Sequence, residues 1–128
     1  MPKSYTQAGN TVNHFLRNTA QVPAATVYAG LFTTAPTNPG NAGVEVAGGS
    51  YVRQAITFGA PTNGASSNTL AINFPLATAP WGTIAAVGIF DADTAGNLLY
   101  YGNLTTPKLV DTNDTASFAS SALQITEQ

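Results

Sequence analysis

The stretch Ala79–Gly102, APWGTIAAVGIFDADTAGNLLYYG, limits what this chain can fold into more than any other. From Ile84 to Phe90 every residue is apolar or Gly. The alternation that would leave one face wet is missing, as in strands covered on both sides. Leu98 to Tyr101 supplies an equally apolar return. Between the two runs, DADTAGN at Asp91–Asn97 offers side chains that hydrogen-bond local backbone or tolerate positive φ. A β-hairpin at the centre of the fold is the expectation.

Length and composition narrow the class. A chain of 128 residues fits one domain and can bury a core without staples. It contains no cysteine, which rules out disulfides, thiolate metal sites and cysteine nucleophiles. No apolar run approaches the roughly 20 residues of a membrane helix, and the opening MPKSYTQAGN has no apolar signal region. No membrane partner is expected. Ten charged residues make only 8% of the chain, against a usual share of about 25%. Such depletion is typical of interface cores, and it points to a protein made for an assembly. The four basic residues, Lys3, Arg17, Arg53 and Lys108, are scattered and form no stripe that could neutralise phosphates. No nucleic-acid partner is expected.

Taken in order, the chain starts with a short helix. Asn10 can cap it, Val12, Phe15 and Leu16 fall at helical spacing, and Arg17 suits the C-terminal dipole. The segment 1–22 therefore reads as an N-terminal arm, with a β domain over 23–128. The β-branched and aromatic run around Val27–Phe32 predicts the first strong strand, with a bulge at Gly30. From Pro36 to Ser50 the Gly and Pro residues predict an irregular loop, with a short edge segment at Val44–Val46. Tyr51–Phe58 alternates, with Val52, Ile56 and Phe58 on one face and Arg53 and Thr57 on the other, which is wet or meets a partner.

Asn63-Gly64 then predicts a turn into the alternating run of Leu70, Ile72 and Phe74, making a second hairpin. Trp81 can either seal one end of the core or anchor an interface. Pro107 belongs at a strand edge and is expected to break the segment after Gly102. Short strands at Thr115–Ser120 and Ala122–Thr126 close the chain. The count is about seven to eight short strands with regular turns, so the fold class is all-β, an antiparallel β-sandwich or jelly roll with a short N-terminal helix.

No constellation for chemistry emerges. Asp91, Asp93 and Gly96 imitate the start of a calcium loop, but Ala95 replaces an oxygen ligand and Gly102 stands where a bidentate glutamate is needed. His14, the one histidine, has no partner that would make it a base. Ser66-Ser67 lies in a turn without a nucleophile elbow. The pairs Asp91 with Asp93 and Asp111 with Asp114 sit in predicted turns, where Asp is common for conformational reasons. The sequons at Asn103 and Asn113 lack a secretion signal. The expectation is no enzyme, no metal and no cofactor.

From about Phe15 to Thr126 the chain resembles small bacteriophage virion proteins commonly called tail fibre proteins. The resemblance is carried by HFLRNTA at His14–Ala20, VYAGLFTTAPT at Val27–Thr37, GGSYVRQAITFGAPTNG at Gly48–Gly64, WGTIAAVGIFDA at Trp81–Ala92 and GNLLYYGNLTTPK at Gly96–Lys108. The chain also looks like the small jelly-roll cement proteins that decorate capsids of short-tailed phages as dimers or trimers. A tail fibre usually needs a long shaft, so this resemblance implies a capsid-surface location, with the major capsid protein as partner, and a tail or baseplate component as the alternative. Residues expected to make protein contacts are Arg17, Asn38, Glu45, Tyr51, Arg53 and Trp81.

Overall fold

A computed structural model describes residues 1–37 and 42–127. The described residues form one helix, α1 (Tyr5–Leu16), and nine strands. These are β1 (Val27–Thr34), β2 (Val44–Glu45), β3 (Gln54–Ile56), β4 (Ala65–Ser67) and β5 (Ile72–Asn73), followed by β6 (Gly82–Phe90), β7 (Leu98–Val110), β8 (Ser117–Phe118) and β9 (Gln124–Thr126). The fold is all-β and antiparallel with one short N-terminal helix, as the turn spacing predicts.

The principal sheet has the order β2-β1-β6-β7, with β3 also pairing β1. Its middle is the expected hairpin, β6 against β7, and β1 lies on the other side of β6. Both faces of the β1–β6 pair are covered. On one face Ala29, Leu31, Val87 and Ile89 enter the main core. On the other, Gly30 sits opposite Gly88, and the rings of Phe32 and Phe90 stack over this glycine pair with centroids 5.9 Å apart. A Cβ on Gly30 would stand 2.7 Å from the Phe90 ring, and one on Gly88 2.7 Å from the Phe32 ring. The glycines are what let the aromatics lie flat on the sheet.

Two ribbons, β4–β9 and β5–β8, form the second layer. Ile72, Phe74 and Leu123 from their neighbourhood join Trp81 in the main core. The buried Asn68 joins this layer to the C-terminal segment: Nδ2 donates to the carbonyls of Leu70 and Ala119, both at 2.9 Å, and Oδ1 accepts from the Leu123 N–H at 2.9 Å.

Three expectations are corrected. The helix is capped by Ser4, whose hydroxyl accepts from the Gln7 N–H at 3.1 Å, and not by Asn10, which lies inside it. The Ser-x-x-Gln spacing places the first free amides over the Ser4 oxygen. Pro107 does not end β7; the register jumps from Ala86↔Asn103 to Ile84↔Lys108, so Leu104–Pro107 fall in an irregularity on the sheet's outer strand, where a residue without an N–H breaks no ladder. The Tyr51–Phe58 run is a strand only over Gln54–Ile56; Ile56 and Phe58 face the core and Thr57 solvent as predicted, but Val52 turns outward and Arg53 inward, against expectation, because the chain before Gln54 is not a strand.

Replacing Asn68 by Ala removes three hydrogen bonds at once and leaves the buried Leu123 N–H without its acceptor. The expected cost is about 2–4 kcal/mol, read as a lower urea midpoint; a loss under about 1 kcal/mol would contradict the role given to Asn68.

Candidate functional site

The polar groups of this charge-poor chain converge at one place. Arg53 makes a two-pronged ion pair with Glu45, Nε to Oε2 and Nη2 to Oε1, both at 2.8 Å. Its remaining donor, Nη1, reaches the carbonyls of Ala92 at 2.9 Å and Ala95 at 2.8 Å. The guanidinium carbon lies 3.5 Å from the centroid of Phe90, and the Arg53 side chain is only 8% exposed. The planar donor fork fits this combination of carboxylate, carbonyls and ring face, which a lysine could not match.

Glu45 also accepts from the Tyr51 hydroxyl at 2.7 Å, and that hydroxyl accepts in turn from the Leu31 N–H at 2.9 Å. Burial, reinforced by the Glu45 hydrogen bond, pushes the Tyr51 phenol well above its ordinary range. The Glu45 hydrogen bond likewise raises the already basic Arg53. Trp81 extends the cluster: its ring meets Tyr51 edge-on at 5.4 Å and its indole N–H donates to Gly49 O at 2.9 Å. Gly30 leaves room for all of this, because a Cβ there would lie 3.0 Å from Glu45 Oε2 and 3.1 Å from the Tyr51 oxygen.

The network holds the Asp91–Asn97 loop in one shape. Asp91 Oδ1 accepts from the Asn97 N–H at 2.7 Å and Oδ2 from the Asn97 amide at 3.0 Å. Ala95 and Gly96 take positive φ values of 51° and 70° to close the turn. The Asn97 backbone N–H is the main reason the Asp91 carboxyl sits below its usual range. This is local turn chemistry, with both oxygens already engaged. Among the described residues no group of three or more His, Cys, Asp or Glu could hold a metal ion.

The other distinctive region is α1. Residues before it lie along β7, with Tyr101 N donating to Pro2 O at 3.1 Å and Ser4 N to Leu99 O at 2.8 Å. Lys3 pairs with Glu127 at 2.7 Å, and the Tyr100 hydroxyl also bonds to Glu127. Partial burial works to raise the Glu127 carboxyl, but Lys3 and Tyr100 outweigh it and the group sits below its usual range. The Tyr100 phenol is pushed up to about 12 by burial and by Glu127.

Between α1 and the sheet runs a groove of about 730 Å³, lined on the helix side by Gln7, Asn10, Thr11, His14 and Phe15 and on the sheet side by residues including Leu99 and Tyr100. The helix thus shows its own domain a mostly polar face. Tyr5, Val12, Phe15 and Leu16 are exposed, and α1 buries no residue.

A family model described as podophage GP4 fiber I protein gp80 matches residues 2–126. The chain belongs to that family. A search of curated proteins finds no match.

Of the contact residues predicted from the sequence, Glu45, Tyr51, Arg53 and Trp81 come together, but as an internal cluster. Arg53 faces inward because the Glu45 carboxylate and two loop carbonyls satisfy its donors there. Trp81 is buried, which decides between its two readings in favour of the core. Arg17 is exposed at the C-cap of α1 and donates to Asn13 Oδ1 at 2.7 Å. Asn38 lies outside the described residues. Gly30, expected to mark a bulge, instead pairs in unbroken register with Gly88 and makes room for the cluster; that role and the carbonyls of Ala92 and Ala95 were not foreseen, and a glycine in an apolar strand and a single arginine in the Tyr51–Phe58 run were the available signals.

Arg53→Met should cost about 3 kcal/mol by leaving Glu45 partly buried and uncompensated, and Arg53→Lys should not restore the loss; urea unfolding checks both, and a wild-type midpoint in either variant would contradict the network. Acid provides another test. Asp91 and Glu127 have depressed folded values, so the unfolded chain binds protons more readily and the stabilisation is complete above the ordinary carboxylate range of about 4. It is lost as pH falls through the lower folded values. Urea midpoints should hold between neutral and mildly acidic pH and drop below about pH 4, and Asp91→Asn should flatten that drop; a midpoint that rises on acidification would contradict the assignment.

Proposed function

We propose that this chain is a non-enzymatic structural subunit of the virion tail fibre. The observation that carries the reading is the match of residues 2–126 to a podophage fibre family. The geometry supports it. The Arg53 cluster is internally satisfied, and the Asp91–Asn97 loop closes on itself, so both serve to hold a surface in shape. The apolar residues left exposed on α1 suit a subunit that packs against neighbours. Capsid decoration, expected from the resemblance to cement proteins, draws on the same low charge and exposed apolar surface, and the fibre description moves the favoured location from the shell to the tail.

Quantitative mass spectrometry of purified virions tests this directly. Symmetry multiplies shell components to on the order of hundreds of copies and restricts tail components to on the order of tens. The expected ratio to the major capsid protein is a few per cent, and a near-equal ratio would overturn the tail reading.

A further inference from the structure

The α1 helix is amphipathic in the wrong direction for a monomer. At about 100° per residue, Tyr5, Gly9, Val12 and Leu16 fall in a stripe about 60° wide, and Gln7, Asn10, Thr11 and His14 occupy the opposite side. The polar side lines the groove against the sheet, and the apolar stripe looks into solvent, with Tyr5 65%, Val12 45% and Leu16 79% exposed. An ordinary surface helix turns its stripe to its own core. We propose that the stripe on α1 is a self-association surface, covered by the same stripe on another copy of this chain.

Three observations favour a second copy over an unrelated partner. The segment Tyr5–Leu16 contains no Asp, Glu, Lys or Arg. Identical faces can therefore meet without the like-charge cost that prevents most surfaces from pairing with themselves. The area fits a reversible contact, since Tyr5, Val12 and Leu16 offer on the order of 400 Å² per copy, and stripe on stripe hides about 800 Å², the size of a weak or transient interface. Gly9 supplies the third. Within a helix it costs roughly 0.5–1 kcal/mol relative to Ala, yet, apart from its chain neighbours and the backbone of its own helix, no described atom lies within 4 Å of where a Cβ would stand. With Ala8 beside it, it leaves a shallow place in the middle of the stripe where a second helix can approach closely. The proposal does not depend on whether the subunit sits on the tail or the shell.

Sedimentation equilibrium of the full chain, with far-UV circular dichroism as a check on folding, tests it. The wild type should associate at micromolar concentration. Val12→Glu with Leu16→Glu should raise the dissociation constant by about thirtyfold or more while the spectrum stays folded. Leu70→Glu, at an exposed apolar position remote from α1 in the sequence, should leave association unchanged. Gly9→Leu separates close helix packing from general stickiness, because it adds apolar area and helix propensity but should weaken association by filling the shallow place. A wild type that stays monomeric at hundreds of micromolar overturns the proposal, as does association that survives the double substitution or is strengthened by Gly9→Leu.

Discussion

The structure depends on the Arg53 guanidinium. One planar group neutralises Glu45, holds the Asp91–Asn97 loop by two carbonyls and lies on Phe90. Glu45 in turn holds the Tyr51 hydroxyl, which caps the β1 backbone at Leu31. Pieces distant in sequence are thereby fixed to one another: β1, the β2 edge, the segment before β3 and the β6–β7 turn. A lone buried charge would be a liability in so apolar a chain. Here each guanidinium nitrogen has an acceptor, so the cluster stabilises and also specifies one arrangement of the loops.

That arrangement explains why the β1–β6 pair has two dry faces. One packs against the β4–β9 and β5–β8 ribbons in the main core, and the other is closed by Phe32 and Phe90 over the glycine pair, with Arg53 across Phe90. With the domain satisfied internally, the apolar side chains of α1 have no place in its core and remain outside. The proposed subunit role would use this division, with a sheet that holds its shape alone and an apolar helix face left for neighbours.

Much of the sheet was legible because local pattern decides it. The apolar runs at Ile84–Phe90 and Val27–Phe32 and the polar turn between β6 and β7 determine their elements through short-range chemistry. The direction of Arg53 was not legible, since alternation assigns faces only relative to one another, and its acceptors come from Glu45 and from loop carbonyls beyond residue 90. The ribbons were hidden for a similar reason. The Asn63-Gly64 turn is formed, with Thr62 and Ala65 exchanging backbone hydrogen bonds, but β4 and β5 take their main partners from the C-terminal strands. The spacing of α1's apolar residues could be read, but nothing in the spacing says whether the stripe faces inward or outward.

A cryo-electron microscopy reconstruction of the whole virion would test the central claim, that this is a fibre subunit whose α1 surface is completed by its own kind. The account predicts density for the chain in the tail, with Tyr5, Val12 and Leu16 buried against another copy. Density on the capsid shell, or an α1 stripe left facing solvent in the assembled particle, would contradict it.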